Sequence, residues 1–320
     1  MRRAPGFSVV IPTYNRLEFL KQALSSVWAQ SHSDYEIIVV DDGSTDGTKD
    51  YLDRLGSRVK VLCQPNRGPS AARNLGVKQA IGNYIAFLDS DDIWLSWTLA
   101  TFHQLILSHQ QPSLLCAAIV EFDSNVRGIK QQKLAADYFI DYLQSANDSG
   151  FVRSGALVVK KEIFDSAEGF DENMLVAEDH DLCLRLGLSR GFIRVRSPVT
   201  LAYRRHTANM STSPKALYPA AEELLIRESA GRYPGGKRRK KERWQLLSRM
   251  LRPVAMSCLR AGLVGEAWSL YRRSFRMNVR LGRFRFLTGF ALYSLFGCAI
   301  DRRRHANSGT SPAGARSPGS

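Results

Sequence analysis

Short apolar runs alternate with longer amphipathic segments over residues 7–88 of the 320-residue chain. Apolar and β-branched residues predict four strands: Phe7–Ile11, Glu36–Val40, Val59–Cys63 and Tyr84–Leu88. Helical spacing of apolar residues predicts helices over 17–30, after Thr48, and over 70–80. Strands that alternate with helices in this order are typical of βαβ units and of an open, mostly parallel sheet.

The pattern is less regular beyond this region. Strands are predicted at 113–122, 155–159 and 199–204, with a short helix at 161–166 and an amphipathic helix at 178–188. Residues 123–149 are polar and predict no element. Further helices are predicted over 244–254, 263–279 and 284–300, and the Ser-, Gly- and Pro-rich segment 306–320 predicts disorder.

Polar loops come directly after three of the predicted strands: Pro12–Asn15, Asp41–Ser44 and Asp89–Asp92. In an open parallel sheet, ligands bind in the crevice at the carboxyl ends of the strands, where these loops would meet. The loops contain neither GxGxxG nor GxxxxGK[ST], which argues against a dinucleotide fingerprint and a Walker phosphate loop. The alternative is that each loop only caps the helix that follows it.

The fourth predicted strand ends in a cluster of carboxylates, Asp89, Asp91 and Asp92. Clustered carboxylates repel one another and lose solvation near a core, so they are costly without a compensating cation. Hard oxygen ligands favour Mg²⁺ or Mn²⁺ over zinc. The alternative is that Asp92 is only the N-cap of a helix that begins at Ile93.

The positive charge is concentrated in the last third of the chain. Residues 227–304 hold 20 Lys and Arg against 4 Asp and Glu, whereas residues 1–226 hold 24 against 26. This asymmetry indicates a polyanionic neighbour, either nucleic acid or an anionic membrane surface. The five cysteines are far apart, which predicts free, buried thiols in a reducing compartment. The sequence predicts neither a secretory signal nor a membrane-spanning helix.

Together the motifs resemble the inverting family 2 glycosyltransferases of the GT-A type. The matching segments follow one another in order along the chain: Val10–Arg16, Val40–Gly47, Asn66–Gly76, Phe87–Asp92, Gly169–Glu172, Glu178–Asp181 and Arg204–His206. The resemblance covers about residues 6–212 and implies an α/β, GT-A type nucleotide-sugar-binding domain over 1–212. A basic α-helical extension over 213–304 and a disordered tail over 305–320 complete the predicted organisation.

The resemblance implies a metal site beside the diphosphate of a nucleotide sugar. Asp91 would be the direct ligand of Mn²⁺ or Mg²⁺, with Asp89 and His206 as further ligands. The metal would neutralise the charge that grows on the leaving diphosphate. For His206 the alternative is a surface or hydrogen-bonded histidine, because a lone histidine is more often one of these than a ligand.

The resemblance also implies which residues hold the donor: Pro12, Thr13, Tyr14, Asp42, Arg73, Asp89 and Ser90. Pro12–Tyr14 would form the floor of the base pocket, and Asp42 would accept a hydrogen bond from the nucleobase. Arg73 would help to hold the diphosphate, because arginine suits bidentate phosphate contacts. The alternative for Arg73 is an ion pair with Asp46 on the surface.

The general base implied by the resemblance is Asp179, which would deprotonate the attacking hydroxyl on the side opposite the leaving group. Gly155, Phe170 and Glu178 would lie on the acceptor side. The structural alternative is that Glu178, Asp179 and Asp181 only favour the N-terminus of a helix.

The resemblance and the charge pattern lead to one hypothesis and one rival. The hypothesis is an inverting glycosyltransferase that moves a sugar, with UDP-sugars expected first, to a hydroxyl of a glycan or lipid-linked acceptor in cell-surface polysaccharide or glycoconjugate synthesis. It would be cytoplasmic and peripheral on the inner face of an anionic membrane, with no nucleic-acid partner. Residues 286–300 would lie in the membrane plane or pack within a helical domain. The rival is a basic nucleic-acid-binding protein with a degenerate nucleotide-binding domain, suggested by the run Lys237–Lys241.

Overall fold

A mixed β-sheet organises the computed structural model, which describes residues 6–123, 126, 128–148, 152–206 and 213–297. In chain order the strands are β1 (Phe7–Thr13), β2 (Tyr35–Asp41), β3 (Lys60–Cys63), β4 (Tyr84–Phe87), β5 (Ile93–Trp94), β6 (Leu114–Cys116), β7 (Ile119–Phe122), β8 (Ala135–Phe139), β9 (Leu157–Lys160), β10 (Phe192–Ser197) and β11 (Leu201–Arg204). The helices are α1 (Leu17–Trp28), α2 (Thr48–Asp53), α3 (Pro69–Lys78), α4 (Thr98–Ser108), α5 (Lys161–Ser166), α6 (Glu178–Arg185), α7 (Pro214–Ser229), α8 (Lys240–Arg260), α9 (Val264–Arg280) and α10 (Phe284–Leu292).

Within the described residues, eight strands form one sheet in the order β3-β2-β1-β4-β9-β6-β10-β8. The pairs β3-β2, β2-β1, β1-β4 and β6-β10 are parallel, and the others are antiparallel. A second sheet has the order β5-β11-β7. The α/β class with a mostly parallel central sheet and a helical C-terminal region is therefore confirmed.

The apolar run of β1 places this strand between two parallel neighbours. Every residue of β1 is buried, which is the pattern of a parallel strand covered on both faces. Gly76 lets α3 approach this strand closely, because a Cβ at Gly76 would lie 2.5 Å from Cγ1 of Val10. The carboxyl ends of β1 and β2 are in register, with Thr13 paired to Asp41.

The predicted strand over 113–122 is wrong as a single element. It divides into β6 in the large sheet and β7 in the small one, and Ala117 and Ala118 carry the chain from one sheet to the other. The Ala117 N–H donates to the carbonyl of Ala156 at 2.9 Å, and the Ala118 carbonyl accepts from the Thr200 N–H at 2.9 Å. An uninterrupted apolar run does not reveal which partner each half will pair with.

Three strands were not predicted, the two-residue strand β5, β8 and β10. Strand β8 lies in the polar stretch 123–149, at the edge of the sheet where only one side needs a partner strand. Strand β10 lies inside the sheet, but its apolar pattern is interrupted by Arg194, which is buried and forms ion pairs with Asp137 and Asp148. A buried arginine paired with distant carboxylates looks like a polar surface residue in the sequence.

Helix ends also differ from the predictions. The segment after Asp92 forms the short strand β5, and the next helix begins at Thr98, so Asp92 is not an N-cap of a helix from Ile93. Helix α6 ends at Arg185 rather than at residue 188. The predicted helix over 284–300 is α10 followed by a π-helical turn at Tyr293–Gly297, and residues 298–300 lie outside the described part of the chain.

The chain divides into two compact units, residues 1–246 and 247–320. Helix α7 belongs to the first unit, where Glu228 accepts two hydrogen bonds from the buried guanidinium of Arg243, at 2.7 and 3.2 Å. In the second unit, Tyr271 stacks on Phe290 with ring centroids 4.5 Å apart. The boundary at 212/213 stays a prediction. The predicted tail 305–320 lies outside the described residues.

The predicted thiol environment is partly corrected. Cys116, Cys183 and Cys258 are buried thiols as expected, whereas Cys63 is exposed because it ends β3 at the edge of the sheet. Cys298 lies outside the described residues. Of the helices formed by the described residues, none combines the length and the apolar character needed to cross a bilayer.

Candidate active site

The polar loops after β1, β2 and β4 lie side by side. The Asp42 N–H donates to the Thr13 carbonyl at 2.9 Å, and the Asn15 N–H donates to the Ser44 hydroxyl at 2.9 Å. The Leu88 N–H donates to the Val10 carbonyl at 3.1 Å, which places the start of the Asp89–Asp92 loop beside β1. The crevice at the carboxyl ends of these strands therefore contains all three polar loops.

The first two loops contain the residues predicted to hold the nucleobase. Pro12 and Thr13 are buried, and Tyr14 is 45% exposed. Both carboxylate oxygens of Asp42 already accept hydrogen bonds, Oδ1 from the Arg67 N–H at 2.9 Å and Oδ2 from the Gly68 N–H at 2.8 Å. Asp42 thus positions the loop before α3, and its contact with a nucleobase stays a prediction.

Arg73 connects the donor side of the crevice to helix α6. It is buried, and its guanidinium donates to Asp89 Oδ1 at 2.6 Å and to Glu178 Oε1 at 2.9 Å. The alternative of a surface pair with Asp46 is wrong, because Arg73 faces the core and lies over the ring of Phe170. Asp46 instead accepts a hydrogen bond from the Leu17 N–H. A direct contact between Arg73 and a diphosphate stays a prediction.

Gly155 is packed against Asp89. A Cβ at Gly155 would lie 2.8 Å from Asp89 Oδ2 and 3.2 Å from the Asp89 nitrogen, so only glycine leaves the carboxylate where Arg73 holds it. Phe170 is buried and forms edge-to-face contacts with Phe87 and Phe164. Gly155, Phe170 and Glu178 are thus all buried, and their role on the acceptor side stays a prediction.

Replacing Gly155 with alanine is expected to displace the Asp89 carboxylate and to reduce turnover by at least about tenfold, the effect of a small misplacement of a positioning group. Steady-state kinetics with the preferred donor would measure this. Gly265→Ala is the matched control, because a Cβ at this position of α9 meets nothing within 4 Å. Equal activity of Gly155→Ala and the wild-type protein would show that the position of Asp89 is not critical.

Asp91, in the loop after β4, contacts residues that follow β1 and β11 in the chain. Its Oδ2 accepts a hydrogen bond from Arg16 and lies 2.9 Å from Nε2 of His206. The ring of His206 stacks on Phe19 at 5.5 Å between centroids, which fixes its orientation. The sequence motif contained Arg16 but gave it no role. Its place directly after the Pro12–Asn15 loop was the one available signal.

Asp92 has a structural role instead of the predicted capping role. Its Oδ1 accepts a hydrogen bond from the Arg204 N–H at 2.9 Å, and the Arg204 side chain donates to the Asp91 carbonyl at 2.8 Å. Burial, together with the nearby Asp89 and Asp91 carboxylates, raises the pKa of Asp92 well above its ordinary value. Asp92 therefore fastens the carboxylate loop to β11, while the buried Ser90 lies between Asp89 and Asp91.

The residues around Asp91 fit a divalent ion that is bound together with phosphates. Two cis ligands of an octahedral Mg²⁺ or Mn²⁺ are about 3.0 Å apart when each is about 2.1 Å from the ion, and Asp91 Oδ2 and His206 Nε2 are 2.9 Å apart. The described residues contain no group of three or more His, Cys, Asp or Glu side chains arranged as a complete metal site. Magnesium sites in nucleotide enzymes commonly use one or two carboxylates and complete the shell with phosphates and water.

Asp179 is the second residue of α6 and is held from two directions. Its Oδ2 accepts from the Ser154 N–H at 3.1 Å, and its Oδ1 accepts from the His180 N–H at 2.7 Å and lies 2.8 Å from His180 Nδ1. Burial opposes ionisation, but His180 and Arg73 outweigh it and lower the pKa of Asp179. His180 was missed as a site residue; its position next to Asp179 was the available signal.

Glu178 differs from its neighbour although both begin the same helix. Burial and the Asp179 carboxylate raise the pKa of Glu178 to about 7, against the effect of Arg73. Environments that separate two pKa values in this way usually give two carboxyl groups different roles. At neutral pH the Asp179 carboxylate is therefore ionised, whereas a substantial part of Glu178 is protonated.

Asp181 is fully buried behind the crevice. Its Oδ2 accepts from Arg185 at 2.7 Å, and its Oδ1 accepts from the Tyr233 hydroxyl at 3.0 Å and pairs with Arg227 at 2.9 Å. Asp181 thus fastens α6 to α7 and to the segment that follows it. Asp181 therefore has an anchoring role, and the alternative that the three acidic residues of α6 only favour the N-terminus of a helix stays a prediction.

The family model for "Glycosyl transferase family 2" matches residues 8–166, which include the three polar loops, Arg73 and Gly155. The chain belongs to glycosyl transferase family 2. Only Asp179 and His206 among the predicted catalytic and metal residues lie beyond the matched region.

Two curated relatives show how far the similarity extends. An uncharacterized glycosyltransferase of Nostoc sp. is 32% identical over 173 residues, which are 51% of this chain and 53% of that protein. The GalNAc(5)-diNAcBac-PP-undecaprenol beta-1,3-glucosyltransferase of Campylobacter jejuni is 41% identical over 105 residues, 31% of this chain and 34% of that protein. The chain therefore spans about half or less of the length of these relatives.

Two solved structures share the fold of this family 2 chain. TarS 1-349 of S. aureus in complex with UDP aligns with a TM-score of 0.60 at 19% identity, over 86% of this chain and 91% of that one. The mannosyltransferase PcManGT from Pyrobaculum calidifontis, in complex with GDP-Man and Mn²⁺, aligns with a TM-score of 0.53 at 17% identity, over 92% of this chain and 88% of that one. These alignments agree with the GT-A type fold that was predicted.

Proposed function

We propose that this protein is an inverting glycosyltransferase that transfers a sugar from a UDP-sugar to a hydroxyl group of a lipid-linked or glycan acceptor. The observation that carries the proposal is the dipeptide Ser154-Gly155. The Ser154 N–H donates to Asp179, and Gly155 packs against Asp89. The carboxylate proposed as the base and a carboxylate on the donor side therefore contact adjacent residues of the chain. Inversion requires a base on one side of the sugar and the leaving diphosphate on the other.

Each part of the crevice has a role in this reaction. Asp179 takes the proton from the acceptor hydroxyl, and His180 keeps its carboxylate oriented and ionised. Arg73 fixes Asp89 against Gly155 and keeps Glu178 in place. Asp91 and His206 would hold a divalent ion, which would supply charge neutralisation at the leaving diphosphate. Tyr14 lies exposed at the mouth of the crevice, where a nucleobase can stack on it.

The similar proteins support the choice of substrates. One structure of TarS is a complex with UDP-GlcNAc, which favours a uridine donor. The Campylobacter relative is named for an undecaprenol-diphosphate acceptor, which favours a lipid-linked acceptor and a role in cell-surface glycan synthesis. The Mn²⁺ in PcManGT favours the same class of metal ion here.

A panel of nucleotide sugars tests the donor class. With Mn²⁺ present, UDP-sugars are expected to raise the melting temperature by a few degrees, because a ligand at about 100 times its Kd stabilises the folded state by about 2.7 kcal/mol. GDP-, CMP- and dTDP-sugars serve as controls. A larger stabilisation by GDP-mannose than by any UDP-sugar would contradict the uridine assignment, and no stabilisation by the whole panel would contradict the proposed reaction.

The second unit has the surface expected for contact with an anionic membrane. Phe284, Leu292, Leu295 and Phe296 are all exposed, although they are large and apolar. Exposed arginines at positions 272, 276 and 285 accompany them. Apolar side chains among cationic ones suit a helix that lies in the interface of an anionic bilayer. We propose that α9, α10 and the π-helical turn keep the enzyme at the membrane that carries its acceptor.

The double substitution Leu295→Glu, Phe296→Glu is expected to weaken binding to phosphatidylglycerol vesicles at least about tenfold, because it replaces apolar contact with charge repulsion. Vesicle sedimentation at low salt would measure it. Leu107→Glu, at an equally exposed apolar position of α4, is the matched control. If the full-length protein does not bind anionic vesicles but binds duplex DNA at the same salt concentration, the result would favour the rival hypothesis of a nucleic-acid-binding protein.

A further inference from the structure

Arg153 lies directly before the Ser154-Gly155 dipeptide that separates Asp179 from Asp89. Its guanidinium lies over the ring of Tyr203, 4.0 Å from the centroid, and its side chain is 36% exposed. An arginine that lies over an aromatic ring can still direct the N–H groups at the edge of its guanidinium plane to a ligand. Arg153 thus presents a fixed positive charge at the acceptor side of the crevice.

The small sheet brings a second arginine to the same place. Strands β7 and β11 pair in parallel with Tyr203 opposite Glu121, and the Arg205 N–H extends the pairing by donating to the Phe122 carbonyl at 2.8 Å. Side chains alternate between the two faces of a strand, so Glu121, Tyr203 and Arg205 share one face. Arg153 approaches this face through its contact with Tyr203.

One carboxylate lies between the two arginines without binding either closely. Arg153 is 3.6 Å from Glu121 Oε1, and Arg205 is 3.6 Å from Glu121 Oε2. These distances exceed a hydrogen bond, whereas Arg73 meets Asp89 at 2.6 Å. The side chains of Glu121 and Arg205 are 49% and 65% exposed. The cluster therefore has a net charge of +1 and N–H donors that face solvent.

We propose that Arg153 and Arg205, supported by Tyr203, form a subsite for a phosphate group of the acceptor. This inference rests on the proposed glycosyl transfer, since it assigns the charge of the molecule whose hydroxyl Asp179 deprotonates. A phosphate offers several oxygens to planar guanidinium groups, which bind it through paired N–H donors. Glu121 keeps the two arginines near each other before the phosphate arrives and repels the phosphate once it is bound.

Glu121 provides a variant with the opposite expected effect. Removing its charge should strengthen phosphate binding, whereas removing either arginine should weaken it. The probe is sn-glycerol 1-phosphate, titrated into full-length protein saturated with UDP and followed by ³¹P NMR, with glycerol as the uncharged reference. Arg153→Gln is expected to weaken binding of the probe at least about tenfold and Arg205→Gln about threefold. Glu121→Gln is expected to tighten binding about threefold, since a neutral side chain no longer repels the phosphate. Arg190→Gln, at an exposed arginine after α6, is the matched control and should change nothing.

Each outcome decides for or against the subsite. Unchanged affinity in Arg153→Gln, or weaker binding in Glu121→Gln, would overturn it, and so would an equal loss in Arg190→Gln. If UDP does not bind, the same titration is run on the nucleotide-free protein; the expected pattern there would keep the subsite while the proposed function fails. Binding to phosphatidylglycerol vesicles is measured last. If Arg153→Gln weakens vesicle binding as much as it weakens binding of the soluble phosphate, the arginines bind membrane headgroups instead of the acceptor.

Discussion

Asp179→Asn is expected to lower turnover at least about a hundredfold, the low end for the loss of a general base, while the affinity for UDP stays nearly unchanged. The amide keeps the shape of the side chain, so the Ser154 N–H retains an acceptor. It removes the charge and the basicity, and the loss should therefore fall on the chemical step. Single-turnover kinetics together with UDP calorimetry would separate the two quantities.

The neighbours of Asp179 provide the controls. Glu178→Gln should reduce turnover less, because the Glu178 carboxyl is already hydrogen-bonded to Arg73 and its raised pKa leaves about half of it protonated at neutral pH. Asp181→Asn should act on stability instead, costing about 1–3 kcal/mol, since an amide cannot accept all the hydrogen bonds that Arg185, Tyr233 and Arg227 give to this fully buried carboxylate. If Asp179→Asn keeps its turnover while Glu178→Gln is folded but inactive, the base has been assigned to the wrong residue.

Asp91→Asn is expected to lower the affinity for UDP at least about tenfold in the presence of Mn²⁺, or about 1.4 kcal/mol of binding free energy. An amide is a weaker ligand for a divalent cation than a carboxylate. Adding EDTA to the wild-type protein should produce a similar loss. Calorimetric titration of UDP would measure both, and it does not depend on catalytic activity.

A control is needed because Asp91 also binds Arg16 and His206. Asp53→Asn removes an exposed carboxylate that pairs with Lys49, and it should leave UDP affinity unchanged. EDTA should have little further effect on Asp91→Asn if both treatments remove the same ion. UDP affinity that is indifferent to EDTA and to Asp91→Asn would exclude the metal from donor binding.

The crevice is connected to the rest of the first unit by buried ion pairs. Arg73 joins Asp89 to Glu178, and Asp181 joins α6 to Arg227 and Tyr233. Removing one partner of a buried pair is costly because the other charge remains desolvated. The position of Asp179 therefore depends on contacts on both sides of α6, from α3 and from the segment that follows α7.

Local sequence determined the order of most strands and helices between residues 7 and 88 and the position of the polar loops. Val9–Ile11 and Tyr84–Leu88 are continuous apolar runs, and a buried parallel strand requires such a run whatever its neighbours are. The positions of the polar loops can be inferred from the ends of these runs, because the chain turns back after each strand. The sequence could thus predict that the polar loops after β1, β2 and β4 share one edge of the sheet.

Only the tertiary structure decided which charged residues meet. From the sequence, Arg73 could have paired at the surface and Asp92 could have capped a helix. In the fold, Arg73 donates to Glu178 and Asp92 accepts from the Arg204 N–H. Each partner is more than a hundred residues away in the chain. Strand β10 was missed for the same reason, since Arg194 is compatible with a buried strand only because Asp137 and Asp148 reach it. Local periodicity reports which face of an element is apolar, but a buried charge is stabilised by a partner that the local pattern does not contain.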